Sequence, residues 1–305
     1  MSQTQTSPAN QNSALSQDAI DQYWEDGFLF PIDVFSAEET QAHRAELESI
    51  ERDWREADLP LPLNMYKRTN AHCVMPLAAR MASDPRILDV VEGVLGPDLM
   101  IWSAEFFIKE PHTTHVVGMH QDLTYWGLGE TSDQVTAWIA LSPATPASGC
   151  MDFVKGSHKN PILPHNDTFS ENNLLSRGQE VAVDVADDDK THIALRPGQM
   201  SLHHGLTIHG SGPNASDDRR IGFAIRYLNP NAQQQVATKD FAMLARGVDL
   251  NGNFAHYAAP KQNFDPHMVD LHGKILAAQH GAIAQGVDSG ALYASHKTME
   301  KEGSV

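Results

Sequence analysis

Between Leu99 and Tyr227 the sequence breaks into seven short strand-like runs, at residues 99–109, 135–141, 150–154, 180–185, 192–195, 199–203 and 221–227. Turn chemistry such as Lys155-Gly156-Ser157 and Arg196-Pro197-Gly198 separates them. Side chains on a strand point alternately to opposite faces, so runs this short must bury their apolar faces against one another. Many short strands in succession predict two facing sheets, a jelly-roll core.

Helical patterns flank this core. Residues 18–26 read as a short helix ended by Gly27, and 28–31 as an entering strand. Ser36 and Glu39 form a capping-box pattern that opens a charged helix running to about residue 57. Pro60 and Pro62 break it, and the mixed polarity of residues 64–75 reads as a loop bordering a pocket. Asp84 and Pro85 start a further helix, whose Ile87, Leu88, Val90, Val91, Val94 and Leu95 share an apolar face before Gly96-Pro97 closes it. The fold class is therefore mainly β with supporting α-helices. We expect a polar, disordered tail over residues 1–16 and one domain over 17–305: helical support to about 98, the jelly-roll core to about 228, then a cover. The cover carries a helix-like stretch at 269–285 that could lie over the barrel mouth, pair two copies into a homo-oligomer, or both.

A formal charge of −17 argues against nucleic acid or an anionic membrane surface as partner, since either needs clustered Lys and Arg. No run reaches the roughly 20 apolar residues that cross a bilayer. With two cysteines and no apolar secretory stretch at the N-terminus, a reducing cytoplasm is the expected compartment.

Chemistry concentrates in two stretches. In Met119-His120-Gln121-Asp122, extended backbone would put His120 and Asp122 on one face, a nitrogen beside a carboxylate. A second histidine would complete the two-histidine, one-carboxylate facial triad of non-haem Fe(II) oxygenases. His203, His204 and His209 all compete for that place on pattern alone. His112, His115 and His158 read as loop or turn residues. Arg219 and Arg220 enter the strand at 221–227 side by side, so one faces inward and the other away. Arg226 shares the parity of Arg220 and could lie deeper in the barrel or pair with a carboxylate.

Together, His120-Gln121-Asp122-Leu123-Thr124-Tyr125, Ala137-Trp138-Ile139-Ala140-Leu141, Ser148-Gly149-Cys150, Gly156-Ser157-His158-Lys159, and His209-Gly210-Ser211-Gly212-Pro213-Asn214 with Arg220 resemble the phytanoyl-CoA dioxygenase family. The resemblance runs from about Asp21 to Tyr227. It implies a double-stranded β-helix (jelly roll, cupin-like) and an Fe(II)- and 2-oxoglutarate-dependent dioxygenase that uses O2 and releases succinate and CO2. His120, Asp122 and His209 match the iron ligands. Arg220, eleven residues after His209, matches the arginine that pairs with the far carboxylate of 2-oxoglutarate, and Ser211 and Trp138 match positions lining it. Related halogenases carry Gly or Ala at the carboxylate position, so Asp122 implies hydroxylation or another non-halogenating oxidation.

The substrate side rests on less. Glu105 is a charge inside an apolar run and shares parity with Ser103; facing inward, it could hold a cationic group of a small polar substrate, and facing outward it is a solvated strand residue. Tyr125 and Trp126 follow the metal motif as wall candidates. The alternatives are an acyl-CoA hydroxylase, though no basic cluster suits coenzyme A phosphates, a cupin-like Zn or Mn enzyme with no need of Arg220, and a non-catalytic ligand-binding module.

Overall fold

The computed structural model describes residues 15–284 and Leu292. The expected tail, beyond Leu15 and Ser16, and the rest of the C-terminal segment lie outside the described residues.

The N-terminal layer follows its caps. Helix α1 (Gln17–Asp26) starts at Ser16, whose hydroxyl accepts from the Ala19 amide, and stops at Gly27 with φ 85°, a left-handed conformation open to glycine. Strand β1 (Phe28–Asp33) follows, then α2 (Ala37–Trp54), where Ser36 and Glu39 form both halves of the capping box. Residues 64–75 correct the sequence reading, because they are not a loop. They form α3 (Leu63–Arg68) and α4 (Ala71–Val74), with Tyr66, Ala71, Cys73 and Val74 buried. The polar residues that suggested a loop are satisfied inside: Lys67 Nζ meets Glu51 Oε1 at 2.7 Å. Helices α5 (Pro76–Ala82) and α6 (Pro85–Leu95) complete the layer, α6 capped by Asp84 and ended by Gly96.

The strands are β2 (Leu99–Lys109), β3 (Val117–His120), β4 (Gln134–Ala140), β5 (Met151–Val154), β6 (His165–Asp167), β7 (Gln179–Val181), β8 (Lys190–Ile193), β9 (Gln199–His203), β10 (His209–Ser211), β11 (Arg220–Leu228), β12 (Phe241–Arg246) and β13 (Ala255–His256), followed by helix α7 (Pro266–Ile283). A seven-stranded sheet has the order β1-β9-β4-β11-β2-β12-β13, a four-stranded sheet the order β3-β10-β5-β8, and β6 pairs with β7. Every pair except the parallel β12–β13 is antiparallel, and the architecture is the expected double-stranded β-helix. Strands β6, β12 and β13 were not foreseen; they are short and lack clean alternation.

Alternation divides the large sheet into two chemistries. Ile101, Ala104, Phe106, Ile108, Val135, Ala137, Ile139, Met200, Leu202, Ile221, Phe223, Ile225 and Tyr227 pack with Leu47, Leu77, Met81, Ile87 and Val91 of the helices in one buried cluster. Each such large side chain contributes about 1.5–3 kcal/mol by leaving water. The opposite face of the same strands carries Glu105, Lys109, Trp138, His203, Arg220 and Arg226, turned toward the small sheet. The helical layer thus holds the sheet rigid while the other face is free for polar work.

Candidate active site

Strand β3 ends on His120 and β10 begins on His209, and the two residues are Cα partners across the small sheet. Their rings face each other with centroids 4.1 Å apart. Asp122 is not on the strand; it opens a 3-10 turn over Asp122–Thr124. Extended backbone at Gln121 still leaves its carboxylate on the side of His120, with Oδ1 3.3 Å from His120 Nε2 and 3.9 Å from His209 Nε2. One ligand atom from each of the three lies within 4.8 Å of the others, and all three residues are buried.

The backbone sets the imidazole tautomers. His120 Nδ1 lies 2.8 Å from the Gly118 carbonyl and His209 Nδ1 2.9 Å from the Thr207 carbonyl. A carbonyl oxygen only accepts, so each Nδ1 holds a proton and each Nε2 is turned toward the cluster. Burial, then the neighbouring His120, pushes His209 well below the ordinary histidine range, so it is neutral. Burial opposes the charge on Asp122, yet His209, His120 and His203, with Arg226 beyond them, outweigh it and hold the carboxyl well below the usual carboxylate range. Two imidazoles and one carboxylate on one side of a common point form a donor set that fits Fe(II) with open positions opposite.

The rival histidines separate as alternation demands. His203 faces the cluster, its Nε2 3.5 Å from Asp122 Oδ2, and Thr136 Oγ1 donates to the same oxygen at 3.4 Å. His204 turns away to pack edge-on against Trp24, its Nδ1 accepting from the Leu206 amide. His158 is the turn residue expected, with Nε2 3.0 Å from the Trp24 carbonyl oxygen.

Arg220 lies in the wall of the same cavity as the triad, with Trp138, Ser211, Phe107 and Met151. It is 1% exposed, and among the described residues its Nε and Nη2 have no hydrogen-bond partner. Burial, then Arg68, lowers its pKa to about 10, so it remains charged at neutral pH. Trp138 lies under the guanidinium, 5.4 Å from ring centroid to Cζ. Its place depends on Gly222, where a Cβ would come within 1.8 Å of the indole. Arg219 faces the other way and is held by Glu51 and Glu110.

Lys109 escaped the sequence reading, which took it as the end of a strand. It is the Cα partner of Arg220 across β2–β11, and its buried Nζ donates to Ser211 Oγ at 2.7 Å. Burial, then Arg220 and Arg68, pushes its pKa down to about 5. The signal was its parity with Glu105, but only the strand register puts it beside Arg220.

A second, smaller cavity shares Arg226 with the first and is lined also by Ser103, Glu105, Trp102, Trp126, Asn70 and Gln279. Glu105 does face inward. The cation that meets it is Arg226, whose Nη1 lies 3.0 Å from Glu105 Oε2, while Ser103 Oγ donates to Oε1 at 3.1 Å. Trp126 packs on Trp102, and Tyr125 donates its hydroxyl to Asp167 at 2.9 Å. Helix α7 closes this end, with Gln279 accepting from Asn70 Nδ2 at 2.7 Å.

A buried two-histidine, one-carboxylate cluster inside a double-stranded β-helix, beside a buried arginine, defines a non-haem iron oxygenase of the 2-oxoglutarate-dependent class. Residues 23–222 match the family described as phytanoyl-CoA dioxygenase (PhyH), and the chain belongs to that family. It is 27% identical over 247 residues to the peroxisomal phytanoyl-CoA dioxygenase of Bos taurus, covering 72% of this chain and 71% of that one. It is 26% identical over 269 residues to the ectoine dioxygenase of Bordetella parapertussis, covering 77% and 86%. Among solved structures, the non-heme monooxygenase ThoJ in its apo form superposes with a TM-score of 0.79 at 32% identity, over 88% of this chain and 98% of that one. Among the described residues no helix is long and apolar enough to cross a membrane.

Proposed function

We propose that this chain hydroxylates a C–H bond of a small polar organic molecule, holding Fe(II) on His120, Asp122 and His209 and 2-oxoglutarate on Arg220 with Ser211 and Trp138. The observation that carries the reading is Arg220: a fully buried guanidinium with unpaired N–H groups in the wall of the cavity that contains the triad. A buried charge without a partner is costly, and a planar fork is suited to a carboxylate held bidentately.

Bound there, iron and 2-oxoglutarate supply the oxygen-activating chemistry, with succinate and CO2 as by-products. The residues of the chain orient and shield. The Gly118 and Thr207 carbonyls aim two Nε2 lone pairs at one point, Asp122 brings the negative charge, and Thr136 steadies its outer oxygen. Phe107, Met151, Leu175 and Ala224 supply the apolar part of the wall, which limits water beside the reacting centre. The adjoining cavity with Ser103, Glu105 and Trp126 is the substrate side of this reading, with Tyr125 in its surroundings. The Glu105–Arg226 pair offers a carboxylate and a guanidinium together, which favours a substrate bearing polar groups over a bare acyl chain.

The test is succinate formation from 2-oxoglutarate by purified protein, with and without Fe(II), across small polar metabolites and acyl-CoA thioesters. Loss of an outer partner of a metal ligand costs 10–100-fold, so Asp122→Ala should lower turnover by more than about 100-fold. Turnover that survives Arg220→Ala and needs no 2-oxoglutarate would favour a cupin-like Zn or Mn enzyme. Stimulation by acyl-CoA thioesters alone would move the substrate to that class.

A further inference from the structure

The outer face of the small sheet carries a second group of metal-ligating side chains. Strands β5 and β8 are antiparallel, with Asp152 and His192 as direct Cα partners, so carboxylate and imidazole stand side by side and His192 Nδ1 contacts Asp152 Oδ1. On β5 the flanking residues point inward: Met151 lines the triad cavity and Phe153 packs its ring edge-on against His209. Asp152 therefore projects outward, where it lines a groove with Met119, Glu180, Asp184 and Lys190. Cys150, two residues earlier, brings its sulfur to the same point, and one ligand atom each from Cys150, Asp152 and His192 lies within 4.8 Å of the others.

Cys150 is a buried free thiol, and Cys73, also free, belongs to a different core cluster. The groove brings three carboxylates and one lysine to the Asp152 side, where a cation would enter, while Arg220 and Lys109 act on Cys150 from the interior. A sulfur, an imidazole nitrogen and a carboxylate oxygen match the borderline-soft preference of Zn(II), and three protein ligands leave the fourth tetrahedral position to water. We propose that Cys150, Asp152 and His192 form a second metal site, distinct from the triad, that takes Zn(II) and ties the edge strand β8 to β5. Burial, then Asp152, raises the free thiol to about 11, so occupation at neutral pH releases its proton.

Cobalt(II) serves as a spectroscopic stand-in for zinc, because only a thiolate ligand gives a near-ultraviolet sulfur-to-cobalt charge-transfer band and the triad contains no sulfur. Titration of the intact protein is expected to give that band and two bound ions per chain, with Zn(II) erasing the band. Cys150→Ser and His192→Ala should each remove the band and lower the stoichiometry to one, whereas Asp122→Ala should remove the other ion and keep the band. Its absence from the wild-type protein, or its survival in either Cys150→Ser or His192→Ala, overturns the site. The His192 side chain is 61% exposed, so its variant folds even if the cysteine variant does not. Failure of the oxygenase reading would leave this band untouched.

Discussion

Two arginines on one strand have opposite fates. Arg220 and Arg226 share the inward face of β11, six residues apart, and both are at least nine-tenths buried. Arg226 meets Glu105 at 3.0 Å and stacks between Phe107 and Trp126, while two of the three nitrogens of Arg220 have no hydrogen-bond partner among the described residues. Folding supplies one guanidinium with a carboxylate and, among the described residues, leaves the other without one. An unmatched buried charge is held in place by the surrounding structure at a cost to stability, and such residues gather where a ligand supplies the missing partner. On the proposed function, the comparison separates an arginine paired within the cavity from one that would take the carboxylate of 2-oxoglutarate.

The sharpest way to break the comparison is to remove each guanidinium and measure dependence on 2-oxoglutarate. Arg220→Met should lower kcat/KM for 2-oxoglutarate by at least about 100-fold, the loss of about 2.7 kcal/mol expected for a bidentate charge-assisted contact. Arg226→Met should leave KM for 2-oxoglutarate within about threefold. Equal effects at both positions would erase the distinction.

Stability should reverse the order. Arg226→Ala strands the largely buried Glu105 carboxylate, and urea unfolding should show a loss of about 2–3 kcal/mol, below the full value for breaking a buried pair because Glu105 keeps 19% side-chain exposure. The double substitution Arg226→Met with Glu105→Leu should recover most of it, since apolar groups replace both partners. A double variant as unstable as Arg226→Ala would mean that packing, not charge pairing, explains the loss.

How far the sequence carried this contrast depends on the distance over which residues must be related. The His120–Asp122 spacing and the alternation in β2, β9 and β11 are local, and two of the three ligands and the barrel follow from them; His209 was singled out from His203 and His204 by the family resemblance, and alternation alone left the direction of Glu105 open. The partners of these residues are not local. Glu105 meets Arg226, and Lys109 meets Arg220, through a β2–β11 register that joins residues more than a hundred positions apart and shifts between Arg226 and Tyr227. A one-residue slip would exchange every face, and nothing in either strand alone fixes the pairing. Helices α3 and α4 were hidden for another reason: Lys67 and Asn70 look solvated until Glu51 and Gln279 arrive from elsewhere in the chain.

Lys109 gives the Arg220 end a signature in pH. Its folded pKa of about 5 lies below the 10.5 of an unperturbed lysine, so between these values the unfolded chain binds one more proton than the folded one. Stability should therefore rise with pH, by up to about 1.4 kcal/mol per unit between pH 7 and 8, and fall as pH drops toward 5. Lys109→Met should flatten that slope in urea unfolding measured across the interval, and an unchanged slope would place the amine in a wetter setting.

The smallest effect is the most discriminating. In the protein without iron or 2-oxoglutarate, Arg220→Met should raise stability by about 1 kcal/mol, because an apolar side chain of similar length removes a buried cation that folding leaves without an anion. The gain is limited by the loss of the guanidinium's contact with Trp138. With saturating 2-oxoglutarate and Fe(II) the sign should invert, since only the wild-type protein gains the linkage stabilisation of a bound dianion. Thermal unfolding in both states reads the crossing directly. If Arg220→Met is destabilising in both, Arg220 is a structural residue like Arg226, and the contrast between the two ends of β11 disappears.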